Sequence, residues 1–186
     1  MAGLIIPVVV SFAALIASTV SGVAGFGGAA IMLPTLVWAF GIREAIPILT
    51  FSQLMGNLAR VWFNRTETSL PVVKWFALGA MPSAIIGAAI FATAPTTTLV
   101  RLLGAFLLIM VAYRHTRWGK GKVIPLRGFL PLGSVSGFIS SLLGVVGPFM
   151  APFFLSFGLV KGGYIGTEAL ATATMHFTKL SVYGGY

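Results

Sequence analysis

The sequence predicts an all-α protein: a polytopic transmembrane helical bundle with an internal repeat and glycine-broken helices. Three observations predict it. Of the 186 residues, 58% are hydrophobic and 8% charged, with a mean hydropathy of +1.00, whereas about a quarter of a soluble domain is charged. Several apolar stretches reach or approach the roughly 17–25 residues that a spanning helix needs. A glycine-dense break at 21–34, SGVAGFGGAAIMLP, is echoed at 136–152, SGFISSLLGVVGPFMAP.

Taken in order, 4–21 reads as a spanning helix with Pro7 tolerable in its first turns. It lacks the basic n-region of a signal peptide and is kept as the first membrane segment. Its end carries Ser18, Thr19, Ser21 and Gly22, small residues that let helices approach closely in lipid. Glycines at 22, 25, 27 and 28 then allow the backbone to bend and expose its own N–H groups. The stretch 26–40 is marginal in length and holds Pro34, so it is a short tilted helix or one arm of a broken one. Irregular backbone at membrane depth survives only beside protein or a water-filled cavity.

After a short connection at 41–44, the span 45–63 carries Pro47, Thr50, Ser52, Gln53 and Asn57. Ser52, Gly56 and Arg60 share one face at i, i+4 spacing, with Gln53 and Asn57 beside them, so this polar stripe should face other helices. A basic loop at 64–69 with Lys74 precedes the span 72–94. An uncharged turn at 95–98 leads to 99–113. Beyond the next connection, 130–143, the break 144–148, the short 149–157, the glycine-rich 158–163 and the polar span 165–183 repeat the pattern.

Arg114, Arg117, Lys120, Lys122 and Arg127 crowd one connection, which the positive-inside bias assigns to the cytoplasm, and 64–74 falls on the same side. Arg60 and Arg101 would then snorkel to the inner and outer interfaces, and Lys179 would be a similar anchor. The formal charge is +9, from twelve Lys and Arg against the three acids Glu44, Glu67 and Glu168. The basic residues flank apolar spans rather than forming a soluble face, which argues against a nucleic-acid partner. Cysteine is absent, and His115 and His176 lie in unrelated contexts, so no metal site or cofactor is expected.

Gly22 pairs with Gly137, Pro34 with Pro152, Gly41 with Gly158, Arg43 with Lys161, and Asn57 and Arg60 with His176 and Lys179. This implies a first repeat at 1–113, a basic linker at 114–127 and a second repeat at 128–186. The second copy should be incomplete, the natural chain continuing for about two more spans. An odd count of spans per copy makes the copies inverted, an even count parallel; inversion is favoured because it offers the breaks to a shared site from opposite sides. Repeats with interrupted hydrophobic segments in corresponding positions mark secondary transporters.

The stretches SGVAGFGGAAIMLPTL and SGFISSLLGVVGPFMAPFFLSFG resemble the paired glycine-proline motifs of the sulfite exporter TauE/SafE family, bacterial membrane transporters of sulfur-containing and organic anions. The second break departs from the family's consecutive glycines, with Val145, Val146 and Pro148, which argues against a cradle of backbone alone there. The resemblance implies a multi-pass protein of the inner (plasma) membrane, not an enzyme. It would export or admit small anions such as sulfite, sulfonates or carboxylates by alternating access at the repeat interface, with the lipid bilayer as surroundings and a homo-oligomer left open.

An oxyanion enters a low-dielectric site only if donors replace its water. Candidate donors are Gly25, Gly27, Gly28, Gly144 and Gly147 at the breaks, with Ser52, Gln53, Asn57, Thr167, Thr172 and His176. The glycines could instead serve packing, and Asn57 and His176 could be inter-helix partners. Glu168 reads either as a first-turn acid favourable to the helix dipole or as a proton-coupling carboxylate. Gly25, Gly27 and Ala30 with Glu44 roughly twenty residues on mimic a dinucleotide fingerprint, without its strand. The sequon at Asn64 should be silent on a cytoplasmic loop. Two rival readings are a membrane hydrolase with Ser136 as nucleophile and His176 as base, and an assembly subunit that transports nothing.

Overall fold

The computed structural model describes residues 2–24, 28–115 and 123–185. Eight α-helices follow in order among them: α1 (Ala2–Ala24), α2 (Gly28–Phe40), α3 (Ile42–Asn64), α4 (Leu70–Thr93), α5 (Thr96–His115), α6 (Phe129–Leu143), α7 (Gly147–Ser156) and α8 (Lys161–Tyr183). No strand occurs among the described residues, so the expected all-α bundle is the observed one. The windows Ile5–Gly22, Leu70–Thr93 and Leu126–Leu143 are long and apolar enough to cross a membrane.

Length separates two of the helices from the rest. At 1.5 Å per residue, the 13 residues of α2 and the 10 of α7 reach roughly 20 and 15 Å, well short of an apolar layer about 30 Å thick. Both are half-helices that follow a glycine break, and both contain the prolines predicted to interrupt them, Pro34 and Pro152. Each half-helix has its own core. Met150, Ala151 and Phe154 of α7 pack with Val72, Phe76, Phe129 and Met175. Leu33 and Leu36 of α2 pack with Ile42, Ile46, Leu49, Phe91, Leu99 and Leu142.

The frame that holds these halves is the seam between α4 and α6. Gly79, Ser83 and Gly87 run down α4 at four-residue spacing, and Gly133 and Gly137 do the same on α6. A Cβ at Gly79 would fall on the Leu130 carbonyl, at Gly133 on that of Phe76 and at Gly137 on that of Ala80. Small residues therefore bring backbone against backbone, the packing mode available where lipid removes a hydrophobic drive between helices. Contact partners rise together along both chains, so α4 and α6 run parallel, and α5 is part of the crossover between them. In contrast α8 runs antiparallel to α3, Asn57 meeting Thr172 and Arg60 meeting Glu168.

The ends of the bundle are fixed by polar contacts. Arg43 at the start of α3 donates to the carbonyls of Ala92 at 2.9 Å and Ala94 at 2.6 Å. These are the orphan carbonyls at the C-terminus of α4, where a cation is also favoured by the helix dipole. At the opposite end Arg127 lies over the Trp75 ring, 6.0 Å from its centroid. Gly144 ends α6 in the left-handed conformation, φ 77°, which only glycine adopts without strain.

Candidate functional site

A cavity of about 280 Å³ opens where the two breaks, α3 and α8 converge. From the first break side it is lined by Ser21, Gly22, Gly28 and Ala29, and from the second by Val146, Gly147 and Pro148. Thus the first residues of both half-helices border one space. Its polar walls come mainly from α3 and α8, with Ser18 and Ser21 of α1 and Ser140 of α6.

The polar wall is a connected network. Asn57 Nδ2 donates to Thr172 Oγ1 at 2.9 Å, and that hydroxyl donates to the Glu168 carbonyl at 2.8 Å. Arg60 Nη2 donates to Asn57 Oδ1, which fixes the amide orientation, and Arg60 Nη1 lies 3.7 Å from Glu168 Oε2. Gln53 Nε2 donates to the Gly144 carbonyl at 3.2 Å, tying α3 to the second break. One charged pair, two amides and one imidazole therefore share a cavity inside an apolar bundle. Glu168 Oε2 and His176 Nδ1 are buried and make no hydrogen bond.

Gly28, Ser52, Gln53, Asn57, Gly147, Thr172, His176 and Glu168 all line this cavity. Gly144 stands behind it, its carbonyl occupied by Gln53. Thr167 points elsewhere: its Oγ1 accepts the Ser69 N–H at 2.8 Å, a loop-to-helix tie nearly two turns from the start of α8. Gly25 and Gly27 lie outside the described residues.

Three expectations are corrected by the packing. Arg60 does not snorkel; its side chain is 25% exposed and turns into the cavity toward Glu168. Lys179 is fully buried, its ammonium donating to Ser140 Oγ at 2.8 Å and to the Ser140 carbonyl at 3.2 Å. Glu168 is no first-turn acid, because α8 starts at Lys161, two turns earlier. Each error has the same source. Distance along the sequence from a span's end says nothing of the partner helix, and here the partner offers Glu168 to Arg60 and Ser140 to Lys179.

Arg60, Ser140, Ser18 and Ser21 are polar cavity residues that sequence reasoning missed as candidate donors, the last two reading as small residues for helix packing. Arg60 could have been found from its place on the same stripe as Ser52 and Gly56, since an ionisable group on an inward-facing stripe is a functional candidate by default. Ser140 carried no such signal among the neighbouring serines. The hydrolase reading finds no support here, since Ser136 Oγ is buried without a hydrogen-bond partner and no base addresses it. The Asn64 amide donates to the Arg60 carbonyl at 2.8 Å, a structural use of the sequon residue.

The profile of the family described as sulfite exporter TauE/SafE matches residues 10–186. No curated protein and no solved structure gives a significant match.

Proposed function

Since the chain belongs to the sulfite exporter TauE/SafE family, whose members are membrane transporters of sulfite and related anions, we propose that its cavity between the two breaks binds a small oxyanion. The substrate is a sulfite, sulfonate or carboxylate, carried across the inner membrane by alternating access where α3 meets α8. The observation that carries this reading is Arg60, a guanidinium in the wall of the cavity that both half-helix starts border, paired with Glu168 at 3.7 Å.

The charge balance explains the division of labour. A helix N-terminus contributes about 0.3–1 kcal/mol toward an anion, and up to ~2 when partly buried. The start of α7 is poorer than that in donors, because Pro148 has no N–H and the Phe149 N–H is taken by the Val146 carbonyl at 3.0 Å. Side chains must supply the remainder. A hydrogen bond to a charged group is worth about 1.5–3 kcal/mol, so Arg60 outweighs either helix end. Its planar fork matches a sulfonate or carboxylate edge. Asn57 sits beside it as an orienting amide.

The test is flux into proteoliposomes holding the full chain, with sulfite, methanesulfonate, taurine and acetate as the panel. Arg60→Gln is expected to insert normally and to stop flux of the preferred anion. Flux of that anion at the unaltered rate in the variant would remove Arg60 from the site and the reading with it.

A further inference from the structure

The cavity already holds an anion of its own. Glu168 is 5% exposed, its Oε2 accepts no hydrogen bond, and its compensating charge is Arg60 at 3.7 Å. A substrate oxyanion that approaches the same guanidinium meets this carboxylate in a space of about 280 Å³. The pair Arg60 and Glu168 is neutral as a unit. Adding an anion would leave a net negative charge in a low-dielectric site, which is strongly disfavoured. One proton on Glu168 restores neutrality and removes the competitor for the guanidinium.

We propose that Glu168 is the coupling group of this site: the incoming anion takes over Arg60 from Glu168, and the displaced carboxylate binds one proton. The balance is simple. An oxyanion and a proton enter together, the ion pair between Arg60 and Glu168 breaks, and an ion pair between Arg60 and the substrate forms. On release the proton leaves Glu168 and the original pair closes. Anion and proton therefore travel in the same direction, and the site is loosest for the anion when Glu168 is ionised. This inference rests on the anion-binding role assigned to the cavity above.

Among the groups around the cavity, Glu168 is the one paired with Arg60. On α8 it has Tyr164 one turn before it and His176 two turns after, the latter also in the cavity wall. Lys179, farther along, is committed to Ser140 and does not border the cavity. From α3, Arg60 faces it, while Arg43 and Glu44 sit at the far end of that helix. Glu67, just after α3, lies against Gly162 in the first turn of α8. On α4 the charged residue is Lys74, which is exposed, and α7 has none.

The experiment uses methanesulfonate, which stays a monoanion throughout, so that any proton taken up belongs to the protein. Binding to the detergent-solubilised full chain is followed by calorimetry in buffers of different ionisation enthalpy. The expected result is uptake of close to one proton per anion and an affinity that weakens by up to about tenfold per pH unit as pH rises. Glu168→Gln should bind with one affinity at every pH and take up no proton, while Glu168→Asp should keep both behaviours. Tight binding by the unaltered chain with no proton uptake and no pH dependence would sink the coupling and leave the anion site standing. Absence of binding at any pH would overturn both. A pH dependence that persists unchanged in Glu168→Gln would move the coupling to another group and overturn this assignment.

Discussion

Replacing Gly137 by alanine tests the seam on which the whole arrangement hangs. The added Cβ would fall on the Ala80 carbonyl oxygen and stand 2.6 Å from Ser83 Oγ and 3.0 Å from the Ala80 carbonyl carbon. Neither neighbour can yield cheaply. The carbonyl is helix backbone, and the Ser83 hydroxyl is held by the Gly79 and Ala80 carbonyls at 2.8 and 3.1 Å. The helices must separate by a sizeable fraction of an ångström, an overpacking cost of about 1–3 kcal/mol. Alanine's better helix propensity returns about 1 kcal/mol, so a net loss of up to roughly 2 kcal/mol remains. The same substitution at Gly104 in α5 meets nothing within 4 Å and should stabilise by roughly 0.5–1 kcal/mol. The two changes thus differ in sign. Unfolding in mild detergent against a denaturant, followed by tryptophan fluorescence, reads both. If Gly137→Ala were as stable as Gly104→Ala, α4 and α6 would not meet at backbone distance and the parallel pairing would be wrong.

Three further outcomes follow from the cavity. Arg60→Gln should weaken methanesulfonate binding by at least about tenfold, the loss expected from one charge-assisted hydrogen bond, while size-exclusion behaviour stays unchanged. Gly28→Leu places a Cβ 2.5 Å from the Ala17 carbonyl and 3.0 Å from Ser21 Cβ, so it should shut the first break and abolish flux in proteoliposomes even where the protein inserts. Thr167→Val removes the acceptor of the Ser69 N–H; it should cost about 1 kcal/mol of stability and leave anion affinity unaltered, whereas a loss of affinity would show that Thr167 belongs to the site.

The fold class was legible because it follows from averages. A low charge content and long apolar runs leave helices as the economical way to satisfy backbone groups in lipid. The short helices were legible as short, since glycine and proline act locally: Pro34 and Pro152 lie in the segments of marginal length, though a tilted crossing stayed open for 26–40, and Gly144 ends its helix in a conformation that other residues avoid. The stripe of Ser52, Gly56 and Arg60 with Gln53 and Asn57 was expected to face other helices, and all five line the cavity, because helical periodicity fixes which residues share a face. The fates of Lys179 and Thr167 were not legible, and Arg60, although on the inward stripe, also reads as an interface anchor. All three lie near the ends of polar spans, where one sequence fits an interface anchor, a buried donor or a loop tie equally well.

What the sequence by itself determined is the local grammar: which segments are apolar, where they break, and which residues line one face of each helix. These depend on side chains within a turn or two of one another, and the family membership rests on the same pattern. Only the tertiary structure decided which faces meet. The antiparallel approach of α8 to α3 brings Glu168 to Arg60 and Thr172 to Asn57 across more than a hundred residues of chain. The glycine seam holds α6, which ends at the second break, at backbone distance from α4. A charge inside a membrane protein takes its role from its partner, and that partner is chosen by packing at a distance that no local pattern encodes.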